Sequence, residues 1–156
     1  MDMKTLNEKT TANVVASQLN QLLADYQIYY QNLRTLHWYA KGRTFFALHS
    51  KFEEYYTEAS EVVDELAERI LMLGGSPVHI FAQCISTSKL QETEVISDGS
   101  RAVELVLSNN EYLLQAVKET FKLAGEAEDE GTVALLSGLI GSTEKRIWML
   151  KSFLAS

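Results

Sequence analysis

At 156 residues, with 46% hydrophobic side chains and a single proline, the chain suits one domain with a substantial core and is a poor candidate for disorder. Asp and Glu outnumber Lys and Arg by 21 to 14, and the resulting net charge of −7 repels nucleic-acid phosphates while it draws cations. The lone Cys84 excludes an intrachain disulfide and any CxxC metal site, no apolar run approaches membrane-spanning length, and the polar first ten residues do not read as a signal peptide, so a reducing, cytoplasmic setting is expected.

Residues 1–10 read as a short flexible tail and residues 11–156 as a single helical domain. Val15, Leu19, Leu22, Leu23, Tyr26, Tyr29, Tyr30, Leu33 and Leu36 recur at helical spacing and predict a first long helix over about 11–40, ended by Gly42. A second helix is predicted over about 44–73, stopped by Gly74-Gly75-Ser76-Pro77. Residues 76–97 form a long connection with room for a short helix. A third long helix follows over about 98–123, with Ser97 as its expected N-cap. Residues 125–131 make an acidic turn, and a fourth long helix spans about 132–154. The expected fold is all-α. The two short turns imply two antiparallel hairpins, and the long connection can run back along a helix roughly 40 Å long at about 1.5 Å per residue. A four-helix bundle with one long crossover is the ferritin-like arrangement; an up-down-up-down bundle with a floppy loop is the alternative.

The second helix sorts into three strips at roughly 100° per residue. Phe45, Leu48, Phe52, Ala59, Val63, Leu66 and Ile70 form the core stripe, and Lys51, Glu54, Glu58, Glu61, Glu65 and Arg69 read as solvated. The third strip holds Phe46, His49, Glu53, Thr57, Ser60, Asp64, Ala67, Glu68 and Leu71. It mixes small residues, apolar ends and potential metal ligands, which suits packing against another subunit; a mixed solvent face is the plainer alternative. Together with His37, the ligands His49, Glu53, Asp64 and Glu68 form a set of imidazoles and carboxylates without thiolate, suited to iron, manganese or zinc. His49/Glu53 and Asp64/Glu68 are each i, i+4 pairs, but Glu53 and Asp64 are separated by roughly 16 Å along one helix at about 1.5 Å per residue. One ion bonded at about 2 Å cannot join both pairs in one chain. A second, antiparallel copy can. Metal centres inside a single bundle use Glu-x-x-His, and here the positions three before each histidine are Arg34, Phe46 and Ser76.

The pattern His37-Trp38-x3-Gly42-x2-Phe45-x2-Leu48-His49-x2-Phe52-x3-Tyr56, followed by Asp64-x2-Ala67-Glu68-Arg69 and Leu73-Gly74-Gly75, resembles the Dps family, the mini-ferritins named as DNA-binding proteins from starved cells. The resemblance covers nearly the whole chain. It implies a hollow dodecameric shell with metal sites at two-fold interfaces, His37, His49 and Glu53 coming from one subunit and Asp64 and Glu68 from its neighbour. It also implies ferroxidase activity: Fe(II) oxidised with hydrogen peroxide and a ferric mineral stored inside, protecting against oxidative stress, with zinc or manganese as ions that can substitute. The family more often carries Asp where this chain has Glu53, so function is expected to be retained with altered coordination. By the same resemblance Trp38 lies close to the metal site, and Glu126, Glu128, Asp129 and Glu130 lie near a three-fold channel for iron entry; the alternative for these acids is ordinary solvated charge. His79 reads as a loop residue and Cys84 as a small packing residue. DNA binding, with a nucleoid location, is expected to be weak, because Lys4 and Lys9 in the tail are offset by Asp2 and Glu8. Two other functions remain open: a DNA-compacting shell with little catalysis, and a purely structural helical oligomer.

Overall fold

The computed structural model describes residues 1–155. Its elements are α1 (Met3–Tyr39), α2 (Phe45–Met72), the short α3 (Phe81–Thr87), α4 (Gly99–Glu126) and α5 (Glu130–Leu154). The long helices fall where hydrophobic spacing predicts them, and the short helix sits inside the expected crossover. Among the described residues no helix is long and apolar enough to cross a membrane.

α1 begins at Met3, well before the expected start at residue 11, so most of the segment expected as a tail continues the helix. No glycine or proline interrupts residues 1–10, and each added residue gains one helical hydrogen bond once the core-packed part has formed. Every residue of that extension is exposed. The caps of the later helices also differ from expectation. Asp98, not Ser97, caps α4 by accepting from the Arg101 backbone N–H at 2.9 Å. Asp129 caps α5 by accepting from the Thr132 N–H at 3.2 Å. Only residues 127–129 separate these two helices, and Glu128 takes the left-handed conformation (φ 56°) that closes the turn.

The core is built from the predicted stripes: Leu19, Leu22, Leu23, Tyr29, Leu33 and Leu36 of α1 meet Leu48, Phe52, Ala59, Leu66 and Ile70 of α2 and Val103, Val106, Leu113, Val117, Leu136 and Leu150 of the second hairpin. Tyr55 joins this core although its place on α2 was not read from the spacing.

Polar side chains on α1 hold the crossover in place. A connection without regular structure leaves its backbone groups in need of partners. Asn20 donates to the Ser76 carbonyl at 3.0 Å and accepts from the Val78 N–H at 2.8 Å. Gln21 donates to the Thr87 carbonyl at 2.8 Å. Asp25, fully buried, accepts from the Ser88 hydroxyl at 2.9 Å, the Lys89 N–H at 2.8 Å and the Tyr112 hydroxyl of α4 at 2.7 Å. Burial and the hydrogen bond to Asp25 both push the Tyr112 phenol upward, so it stays a donor. Asn32 donates to Gln91 and accepts from the Thr93 N–H. The crossover therefore runs along α1 from its N-terminal half toward its C-terminal end. α4 starts beside the start of α2, where a Cβ on Gly99 would collide with the Thr44 side chain. α2 and α4 are parallel, and the up-down-up-down alternative is excluded.

Two residues read as solvated are instead engaged by the second hairpin. Arg69 donates to Asp129 at 2.7 Å and to Thr132 at 3.0 Å, and its guanidinium lies where any side chain on Gly131 would have to go. Glu58 accepts from Arg146 at 2.8 Å.

Asp25→Ala is expected to leave several partly buried donors unpaired and to lower unfolding free energy by about 3 kcal/mol, measured by denaturant midpoint. A second expectation concerns acid. Burial raises the Asp129 carboxyl, but the Thr132 hydroxyl and N–H and the Arg69 guanidinium outweigh it and hold it below its ordinary value of 3.8. Its contribution is full above that value and is lost as pH falls through the lower folded-state value. Asp129→Asn should therefore destabilise at neutral pH and flatten the acid limb of a stability–pH curve.

Candidate metal centre

His37 lies in the last turn of α1 and His49 in the second turn of α2. The five residues between the helices reverse the chain, with Gly42 at φ 91°. This hairpin stacks the two imidazoles, with ring centroids 3.7 Å apart and planes 16° from parallel. Each ring holds the other's backbone: His37 Nδ1 donates to the His49 carbonyl at 2.6 Å, and His49 Nδ1 donates to the His37 carbonyl at 2.9 Å. A carbonyl only accepts, so each Nδ1 carries the hydrogen and each Nε2 keeps a lone pair. Both rings are thus set in the tautomer that binds a metal through Nε2. The second bond also satisfies one of the carbonyls that α1 leaves open at its C-terminus.

Aromatic rings brace the pair. Phe45 stacks on His49 at 4.9 Å, and Tyr56 sets its edge against His37 at 5.4 Å. The Tyr56 hydroxyl lies 3.4 Å from Glu53 Oε1. Burial, then the Glu53 charge, pushes that phenol upward and keeps it a donor. Neither residue was marked by the sequence as part of the site: Phe45 read as core, and Tyr56 stood only within the motif. Their positions four before and seven after His49, on the same helical face, were the available signal.

Glu53 is exposed one turn beyond His49; Asp64 and Glu68 are exposed farther along α2. Among the described residues, no three His, Cys, Asp or Glu side chains converge closely enough to hold an ion. The predicted ligands are therefore divided, with His37 and His49 together near one end of α2 and Asp64 and Glu68 toward the other. As a donor set the imidazoles and carboxylates fit a hard divalent ion, but each group is short of ligands.

Among the described residues the bundle interior offers no competing centre. Arg146, with a side chain only 12% exposed, donates to Glu58 and to Asn110, and its guanidinium lies 5.2 Å from the Tyr55 ring; Asn110 donates to the Tyr29 hydroxyl. A fixed cation, directly and through Asn110, thus ties all four long helices together inside the bundle. The remaining candidates are dispersed. Trp38 is 55% exposed and carries the Arg34 guanidinium 4.9 Å over its ring. Glu126, Glu128 and Glu130 are exposed, while Asp129 is committed to its cap and to Arg69. His79 is exposed in the crossover, and Cys84 is buried, with its thiol pushed up by that burial.

A ferritin-like domain model matches residues 16–156. The chain is 39% identical over 140 residues to DNA protection during starvation protein 2 of Bacillus anthracis, covering 90% of this chain and 96% of that protein. It is 35% identical over 153 residues to the DNA protection during starvation protein of Porphyromonas gingivalis, covering 98% of this chain and 96% of that one. Among solved structures, the Vibrio cholerae O1 DPS protein, described as a member of a broad superfamily of ferritin-like diiron-carboxylate proteins, superposes with a TM-score of 0.93 at 41% identity over 94% of this chain and 92% of its own. Dps from Bacillus brevis superposes with a TM-score of 0.91 at 36% identity over 94% and 98%. On fold, site residues and these similarities together, the chain belongs to the Dps family of ferritin-like proteins.

Proposed function

We propose that this protein is a ferroxidase that oxidises Fe(II) with hydrogen peroxide at sites completed between two subunits, and that it stores the ferric product inside a dodecameric shell. The observation that carries the reading is the pair of pre-set imidazoles stranded from Asp64 and Glu68 on the same chain. Positions 49 and 68 share a midpoint with positions 53 and 64, between Glu58 and Ala59. A two-fold axis through that point lays α2 antiparallel on its own copy. It brings His49 opposite Glu68 of the partner subunit, and Glu53 opposite Asp64 of the partner subunit. An isologous contact of this kind creates two equivalent sites.

At each site His37 and His49 would bind the substrate iron through Nε2, and Glu53 with the partner subunit's Asp64 and Glu68 would supply anionic oxygen. Carboxylates stabilise Fe(III) over Fe(II), because the added charge interacts more strongly with them in a partly dehydrated interface. The site thereby favours electron loss. Two Fe(II) ions deliver two electrons to one peroxide, its O–O bond breaks, and two protons complete two water molecules, with no hydroxyl radical released. Exposed Glu126, Glu128 and Glu130 suit the path by which Fe(II) enters, as the field of several carboxylates concentrates cations. Asp129 takes no direct part in that path because Arg69 neutralises it. The relatives are named for DNA protection. For this chain protection is assigned to peroxide removal, since a net charge of −7 opposes phosphate binding.

Complementation tests the shared site. A His37→Ala/His49→Ala chain and an Asp64→Ala/Glu68→Ala chain should each oxidise Fe(II) at least ~10-fold more slowly than wild type. Co-assembled at random in equal amounts they should recover about a quarter of wild-type activity, because half the interfaces are mixed and each of those carries one intact site. No recovery in mixed particles of normal mass would reject shared sites. Wild-type rates in both parents would leave a structural oligomer as the function.

A further inference from the structure

We infer that Phe46 and Leu71 form an apolar seal between subunits at each end of the α2 seam, Phe46 of one chain packing on Leu71 and Met72 of a second copy and closing the flank of the metal site. The inference rests on the inter-subunit reading above. Phe46 is 85% exposed, Met72 69% and Leu71 60%. Large apolar side chains this exposed at the two ends of one helix mark a contact surface. Within the chain, Phe46 is in contact with Phe45, whose ring edge it meets at 5.2 Å between centroids, and Phe45 in turn stacks on His49.

The register identifies the occupant. Positions 46 and 71 have the same midpoint as 49 and 68 and as 53 and 64. The operation that joins imidazole to carboxylate therefore also sets Phe46 against the partner subunit's Leu71, with the partner subunit's Met72 beside it. A random exposed phenylalanine would have no reason to share that centre. Phe46 precedes His49 by one turn and Leu71 follows Glu68 by one turn, so the apolar contact lies outside the ligands on both sides. It excludes water along one wall of each site, which strengthens the attraction between the carboxylates and the ion. Small Thr57 and Ser60 near the axis allow the two helices to approach there.

Cross-linking of metal-free protein tests the register without any iron chemistry. In a Phe46→Cys/Leu71→Cys chain, a short bismaleimide should give covalent dimers. Neither single variant should do so, because like positions lie roughly 37 Å apart along the seam at about 1.5 Å per residue. Native Cys84 is buried, and the wild type gives the background. An assembled double variant that does not link, or a single variant that does, overturns the inference while leaving the complementation result intact. Efficient linking of the double variant, beside a wild type that fails to oxidise Fe(II), upholds the seam and rejects the ferroxidase reading. The sealing role has its own readout: Phe46→Ser should weaken Co(II) binding, followed by visible absorption, about tenfold. Unchanged Co(II) affinity overturns the seal. If the cysteine pair does not assemble, Phe46→Lys and Leu71→Glu replace it; each alone should lower particle mass and the pair together restore it, and failure of that rescue also overturns the inference.

Discussion

The fold depends on how the crossover finds hydrogen-bond partners. It leaves α2 at one end of the bundle and must reach the other end with no sheet to join. α1 supplies what is missing, with Asn20, Gln21, Asp25 and Asn32 spaced along one side of the helix and each bound to crossover backbone. Asp25 goes further, since Tyr112 draws α4 onto the same carboxylate. A buried carboxylate costs several kcal/mol unless its lone pairs are met, and here strong donors meet them. Because the crossover lies against α1, it stays off the outer strip of α2. That strip, with its candidate ligands and exposed apolar ends, is left uncovered on the subunit.

Energetics at the site follow from that freedom. The imidazoles are ordered before any ion arrives, since their Nδ1 atoms are already bonded, Phe45 stacks on His49 and Tyr56 stands perpendicular to His37. The carboxylates remain in water on the isolated subunit, where they are well solvated. Bringing them into an interface demands a cation. Arg146 has taken the corresponding place within the bundle, and the proposed shared site turns that demand outward, to the contact with a second subunit.

Much of this was legible from the chain. The helices follow from apolar spacing, the crossover from the length of residues 76–97, and the division of the ligands from the gap between Glu53 and Asp64. What escaped depends on three-dimensional neighbours. Asp25 sits among Leu22, Leu23 and Tyr26 on an apolar stripe, and such a charge is a signal only when its donors, far along the chain, are known. Arg69 and Glu58 lie on the polar side of α2 by periodicity; their partners Asp129 and Arg146 come from the other hairpin. Asp98 rather than Ser97 caps α4 because both are competent caps and the choice turns on a single residue of register. α1 is longer than apolar spacing predicts because its first turns are exposed and add nothing to the core stripe. The mutual bond between the two histidines was out of reach, since it requires the path of the turn around Gly42.

That mutual bond makes the two rings a single mechanical unit. Loss of the imidazole at position 49 uncaps a carbonyl at the end of α1 and strips the ring at position 37 of its stacked neighbour, while that ring's own bond to the backbone carbonyl at 49 stays. Each ring is oriented by the backbone at the other's position, so a side-chain change at one reaches its neighbour through the stacked faces. Energies of removal at such a pair do not add. A chain that keeps one ring without the other keeps that ring's backbone bond but loses the stacked face beside it.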